Sequence, residues 1–223
     1  MHDIKLNFPP NLYFGTKTEL VVETIRTAIL IGDILPGSKI TEQQVRDALK
    51  VSSSPVREGF HHLEAEGLLT RVPHIGTTVT SMEIEDAKEL YRIQSLLQGV
   101  AVQICNRKLK EEDIAEAERL NAEMKKMARK KMDVKSMRVI NYKFHMILCG
   151  VNTYPWLTRL ISALWIRLPS QSVWLIPKRA MIIVQEHEKI LNAIKKKDGI
   201  SAGSAMKEHL QNSMKTLFEN SVG

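Results

Sequence analysis

The run Val51-Ser52-Ser53-Ser54-Pro55-Val56-Arg57-Glu58, closed by Leu63-Glu64-Ala65-Glu66-Gly67, decides the fold of the first third of the chain. Serine side chains accept hydrogen bonds from the unpaired N–H groups of a helix's first turn. Proline is tolerated there because its missing N–H would find no partner anyway. A helix therefore starts within residues 52–55 and stops at Gly67. Just after it, Leu68-Leu69-Thr70-Arg71-Val72 and Thr77-Thr78-Val79-Thr80 are rich in strand formers, and Pro73-His74-Ile75-Gly76 between them reads as a hairpin tip. Before it, Thr41 is a good cap for a short helix to about Leu49, with Glu42 in the first turn. Leu35-Pro36-Gly37 is a turn. Residues 17–31 read as a helix with Leu20, Ile25, Ala28 and Ile29 close to one stripe, ended by Gly32. Pro9, Pro10 and Gly15 mark an irregular arm over residues 1–15.

Three helices and a hairpin over residues 16–80 are the plan of a winged helix-turn-helix. The physics of that plan is groove geometry: the major groove admits one helix, whose N-terminal residues reach base edges. The preceding helix holds it against the backbone, and the hairpin lies along the neighbouring groove. From Ser81 onward the pattern is helical almost throughout, near residues 83–107, 111–131, 133–150, 154–168, 178–197 and 199–219. The breaks are charged or carry Gly, Asn or Pro, as at Asn152-Thr153-Tyr154-Pro155 and Asp198-Gly199. Short connections make neighbouring helices antiparallel. The expected fold is mostly α: the winged head over residues 16–80, then an all-helical antiparallel bundle of about six helices over residues 81–223.

Composition narrows the classes. Of the 223 residues, 43% are hydrophobic and 26% charged, as in an ordinary globular chain. The longest apolar runs, such as Leu160 to Ile166, are too short to cross a bilayer, and residues 1–15 lack a signal-peptide layout. Cys105 and Cys149 do not make a disulfide framework, so a reducing, cytoplasmic setting is expected. The net charge of +7 suggests a polyanionic partner, nucleic acid first. Its distribution argues the other way: residues 16–80 carry 7 basic and 8 acidic side chains, and residues 81–223 carry 24 and 16. The densest basic cluster, Lys125, Lys126, Arg129, Lys130 and Lys131, reads as a solvated helix face.

Three histidines of the second region fall on separate expected helices, each on an apolar stripe. His145 follows Phe144, with Asn141 one turn earlier and Cys149 one turn later. His187 shares a face with Ile183, Ile190, Leu191 and Ile194, and His209 with Met206, Ser213 and Leu217. A single buried imidazole is ordinarily a hydrogen-bonded core residue. Three in one bundle point to a shared metal, since bundles build metal sites from facing helices. Neutral imidazole suits zinc, nickel, copper or iron.

Two resemblances sharpen both halves. Ile31-Gly32-Asp33-Ile34-Leu35-Pro36-Gly37, Val51 to Glu58, Leu63 to Leu68 and Gly76-Thr77-Thr78-Val79 resemble, in order and spacing, the GntR family of bacterial transcription regulators. That resemblance implies that Ser52, Ser54 and Arg57 touch phosphates and bases of a DNA duplex. Arg57 is the candidate for a guanine contact through O6 and N7. Arg46 and Lys50 can reach the DNA backbone, and His74 and Gly76 sit at the wing. Ser53 stands where the family usually has arginine, which removes one expected contact.

Further on, Asn141-Tyr142-Lys143-Phe144-His145, the run from Glu186 to Ile194, and Ala205-Met206-Lys207-Glu208-His209-Leu210 resemble the metal-binding group of the FCD branch of that family. The resemblance implies Asn141, His145, His187 and His209 as ligands of a divalent transition metal, zinc or nickel foremost. Asn141 holds the position of a family aspartate, so the expected site is less negative. It also implies a small carboxylate effector beside the metal, for which Arg167 is the candidate partner. Gln94 and Gln98 replace an Arg and a Glu common in the family, so an anion contact is expected to be lost.

The reading that unites these features is a ligand-responsive DNA-binding regulator. It would act as a homodimer on a palindromic double-stranded operator, without a membrane partner. The alternatives are a metal-dependent hydrolase built on the three histidines, a pure metal sensor, and a metal-free acyl-binding body. The hydrolase lacks an evident general base, and the head would have no use in it.

Overall fold

The computed structural model describes residues 15–130, 133–151, 153–168, 172–176 and 178–218. The expected N-terminal arm, save Gly15, lies outside them, as do Lys131 and Asn152. The chain divides into two compact units, residues 1–82 and 83–223.

In the first unit, α1 (Lys17–Ile31) opens with a capping box in which Thr16 and Glu19 satisfy each other's backbone N–H, and it ends at Gly32 in the left-handed conformation. Thr41 and Gln44 make the same device for α2 (Glu42–Leu49). The third helix, α3 (Ser53–Ala65), packs on α1 so closely that a Cβ on Gly59 would stand 2.7 Å from a Val21 methyl. Val21, Ile25, Val45, Val56, Phe60 and Leu63 close the core. β1 (Leu69–Val72) and β2 (Gly76–Val79) pair antiparallel, Leu69 opposite Val79, and Lys39 bridges to Thr78 on the other edge of β2.

The second unit holds α4 (Ile84–Cys105), α5 (Glu111–Arg129), α6 (Val134–Leu148), α7 (Pro155–Trp165), α8 (Arg179–Lys195) and α9 (Gly199–Phe218). A short 3-10 helix (Ser172–Leu175), absent from the sequence reading, precedes α8. It buries Val173 and Trp174, and a single 3-10 turn carries no periodicity to read. The sequence reading carried α6 to residue 150, whereas the helix stops at Leu148. Gly150 is left-handed (φ 74°) and packs so tightly that a Cβ there would lie 2.4 Å from Cys105 Sγ. Neighbours in sequence pack together, α5 with α6 and α8 with α9, while α5 also meets α8. The most extensive pairing is α4 with α9. There Gly99 and Gly203 face each other, and a Cβ on Gly203 would come within 2.5 Å of the Gly99 carbonyl oxygen. No helix among the described residues is long and apolar enough to cross a membrane.

Candidate functional site

The helical unit gathers His145 from α6, His187 from α8 and His209 from α9 into one buried cluster, with ligand atoms all within 4.8 Å of one another. Ring centroids stand 5.3 Å (His145–His187), 5.2 Å (His145–His209) and 4.7 Å (His187–His209) apart. Aromatic neighbours hold the rings: Phe144 stacks on His187 at 4.0 Å, and Trp165 lies 4.7 Å from His145.

What lies behind each ring fixes which nitrogen carries the proton. Gln94 Nε2 donates to the Ile161 carbonyl at 2.8 Å, and Gln98 Nε2 donates to Gln94 Oε1 at 2.8 Å. Gln98 Oε1 is thereby turned to His145 Nδ1, 2.7 Å away, so Nδ1 must donate. Likewise Asn121 Nδ2 donates to the Val184 carbonyl at 3.2 Å, leaving Asn121 Oδ1 to accept from His187 Nδ1 at 3.2 Å. Behind His209 stands a carboxylate, which in its ionised form only accepts: Nδ1 donates to Glu186 Oε2 at 2.7 Å. All three rings thus donate from Nδ1, and His145 and His187 keep a lone pair on Nε2.

Two of those Nε2 atoms, on His145 and His187, are buried with no hydrogen-bond partner, and so is Asn141 Oδ1. Burial, together with the closeness of the neighbouring ring of His209, where a second positive charge would be repelled, holds the His145 and His187 imidazoles well below their usual range, so both are neutral. Unpartnered buried acceptors are rare because each forfeits about 1–3 kcal/mol of solvation. A cation held between the rings would supply the missing partner of both imidazole nitrogens. Neutral imidazoles braced by oxygen acceptors on their far nitrogen are the donor set of a transition-metal site.

Glu186 is held by four donors. Arg179 gives it a bidentate pair at 3.1 and 2.9 Å, and Asn212 and His209 complete the set at 2.9 and 2.7 Å. Burial pushes this carboxyl up, but the His209 and Arg179 contacts outweigh it and hold it below the usual range. Arg179 Nη2 also donates to Ser213 Oγ at 3.1 Å.

Beside the cluster is a cavity of about 20 Å³, lined by Tyr91, Asn141, Trp165, Trp174, His209 and Ser213 among others. That is room for one water or ion. Arg167, half-buried after α7, is not among the lining residues. Arg179, a buried guanidinium beside the cluster, is already paired with Glu186, and Arg138 on α6 is buried too. Gln94 and Gln98, expected to mark a lost anion contact, form the brace behind His145. Cys149 caps α6 in the core, and burial pushes its thiol up, so it stays protonated. The sequence reading missed the bracing residues Asn121, Arg179 and Glu186. Asn121 alone had a signal, as the one polar residue on a stripe of Ala117, Leu120 and Met124.

The first unit places its candidates at the α2–α3 junction, along α3 and at the wing. Ser52 caps α3 without using its side chain, so its hydroxyl is left for another partner at a helix N-terminus. Ser54 and Arg57 are exposed on the next turns, with Arg57 Nε 3.8 Å from Glu42. Arg46 reaches across from α2 to donate to Ser53 Oγ at 3.0 Å. His74 (φ 64°) and Gly76 (φ 106°) are exposed at the hairpin, with Lys39 running beside Gly76. The exposed face of α3 also carries Glu58, His61 and His62, which sequence reading passed over. The basic cluster of α5 is partly tied down, with Lys125 Nζ donating to Glu188 on α8 at 2.8 Å.

Comparison with known proteins covers both units. A family model described as the FCD domain matches residues 89–212, and one described as bacterial regulatory proteins of the gntR family matches residues 17–79. The uncharacterized HTH-type transcriptional regulator YdhC of Bacillus subtilis is 27% identical, over 97% of this chain and 96% of its own. The HTH-type transcriptional regulator LutR of the same organism is 27% identical, over 86% of this chain and 98% of its own. Among solved structures, E. coli McbR/YncC superposes with a TM-score of 0.83, covering 93% of this chain and 99% of that one at 23% identity. A regulator from Rhodococcus gives 0.75, covering 91% and 98% at 22% identity.

Proposed function

We propose that this chain, which belongs to the GntR family of bacterial regulatory proteins and carries the FCD domain, is a metal-loaded, ligand-responsive transcription regulator. The observation that supports the metal is the set of three imidazoles gathered with ligand atoms within 4.8 Å of one another while every Nδ1 is held by an oxygen acceptor. His145, His187 and His209 would hold the ion, with Asn141 Oδ1 as a neutral fourth donor. Zinc or nickel suits three imidazoles and an oxygen. A metal held by these residues would supply a Lewis-acidic centre for a carboxylate oxygen. One cation of the chain beside the site, Arg179, is already neutralised by Glu186. A small organic acid would owe part of its attraction to the ion. Glu186 is saturated by its four donors and offers no free general base to a hydrolytic reaction.

The head would read a palindromic operator as half of a homodimer, since two half-sites need two heads. Arg57 would pair with a guanine, Ser52 and Ser54 would position the helix on phosphates, and His74 and Gly76 would lie along the adjacent groove.

The test combines metal analysis with melting curves. Purified protein is stripped with chelator, reloaded with zinc or nickel, and melted with and without small organic acids. One equivalent of bound metal and a melting temperature raised by one acid only in the loaded protein is the expected result. A stripped protein that takes up no metal overturns the proposal. The cavity of about 20 Å³ favours one second reading, in which the ion itself is the signal. That reading is the correct one if metal alone changes operator affinity and no acid does.

A further inference from the structure

We infer that the seam between α5 and α8 is the door through which a metal enters and leaves the histidine cluster, bolted by two crossed ion pairs on its rim. The inference rests on the metal-loaded reading above. The three imidazoles lie inside the helical unit at 0–3% exposure, so an ion reaches them only where the surrounding wall opens. Three stretches of that wall are firmly closed. Behind His145, Gln98 and Gln94 are fully buried and tied to the backbone of α7. Behind His209, Glu186 is held by its four donors. The small cavity beside Asn141 is walled by buried Trp165, Leu168 and Trp174.

The wall behind His187 is the thin one. A surface groove of about 320 Å³ runs between α5 and α8, and Asn121 is part of its lining. The same Asn121 is only 4% exposed and accepts from His187 Nδ1 at 3.2 Å, so one amide stands between the groove and the ring. Each helix carries a glutamate and, two turns later, a lysine: Glu118 and Lys125 on α5, Glu188 and Lys195 on α8. The two pairs cross the groove in opposite senses. Lys195 Nζ donates to Glu118 at 2.7 Å, and Lys125 Nζ donates to Glu188 at 2.8 Å. Together they bracket Asn121 along α5 and set Asn192 of α8 across the groove from it. All four charged side chains are 38–50% exposed, and ion pairs in contact with water cost little to break. Once both part, Asn121 swings out with α5. The His187 ring, stacked on Phe144 at 4.0 Å, is then free to slide in its own plane toward the groove, where an incoming ion meets it first. Local opening of this kind belongs to the least stable seams of a fold, and here that seam adjoins a ligand.

The test reads exchange kinetics on the full chain. Zinc-loaded protein is mixed with a chelating dye for the release rate, and stripped protein is mixed with zinc for the loading rate. In K125E/K195E each bolt becomes a repelling pair of carboxylates. Both rates should rise about tenfold while the dissociation constant moves less than about threefold, because an open door speeds traffic in both directions. E118K/K125E/E188K/K195E restores both pairs with the charges exchanged and keeps the net charge of wild type. It should return both rates to within about threefold of wild type. Should K125E/K195E lose its helical circular dichroism, salt decides alone. Added salt screens the bolts and should speed release from wild type, but not from E118Q/K125Q/E188Q/K195Q, which has no charges there to screen. Rates that stay at wild-type values, a rise in release alone, a swap that restores nothing, or wild-type release indifferent to salt overturns the door and leaves the metal site standing. A stripped chain that takes up no zinc overturns both.

Discussion

Arg57 and His187 show how differently the two units hold their working residues. The Arg57 side chain is 65% exposed on α3, and its nearest charged neighbour, Glu42, is only loosely engaged at 3.8 Å. His187 is fully buried, stacked on Phe144 and braced through Asn121 to the backbone of its own helix. A surface that meets a polyanion works by leaving side chains free to find phosphates and base edges. A site for an ion works by removing that freedom, because each ligand must already be aimed. Residues proposed to face DNA would therefore need little from their neighbours, whereas the imidazoles need a second layer of residues to hold their tautomers.

The contrast can be broken by substitution, and the largest effect is expected in that second layer. Replacing Glu186 with alanine strands the buried Arg179 cation, and should lower stability of the helical unit by about 3–5 kcal/mol. Chemical denaturation checks it, and a loss under 1 kcal/mol would mean that the buried pair is not structural. Next, His187→Ala should lower zinc or nickel affinity by more than about 100-fold, beyond the range of bracing residues alone, while leaving operator binding by the head intact in metal-free buffer. Competition with a chelating dye reads the first and fluorescence anisotropy the second. Arg57→Ala should cost about 1–3 kcal/mol of operator binding and relax preference at one base pair, with metal content unchanged. Asn121→Ala should weaken metal binding by about tenfold without touching the DNA-facing surface. Smallest of all, Ser52→Ala should weaken specific and non-specific DNA alike by a few-fold, because a phosphate contact carries no sequence information. If a head variant altered metal affinity, or a histidine variant altered DNA affinity in metal-free protein, the two units would not be the independent devices described here.

The same difference explains what the sequence made legible. The head's order of turns, caps and hairpin is local: Thr41, the Ser52–Pro55 start, Gly67 and the Pro73–Gly76 tip each mark an element through their own chemistry. The six long helices were equally readable from periodicity, to within three residues at most ends. The three histidines could be singled out because a polar residue on an apolar stripe is conspicuous. What stood behind them was not legible. Gln98, Asn121 and Glu186 lie 47, 66 and 23 residues from the rings that they brace, and no local pattern links such distances. Arg167 was chosen from its place near a helix end, whereas the guanidiniums that the fold buries are Arg138 on α6 and Arg179 at the first turn of α8. The 3-10 turn that walls the cavity was missed for want of any period.

The bare contact between Gly99 and Gly203 has a mechanical consequence. Where two helices touch backbone to backbone, no side chain lies between them to yield, so α4 and α9 transmit a push without slack. His209 rides on α9 six residues past Gly203, and the ring of His145 is pinned to α4 at Gln98, next to Gly99. The helix that carries His209 and the helix that braces His145 are thus joined at a contact with no side chain to give way. Giving either glycine a methyl group would insert a shim into that joint.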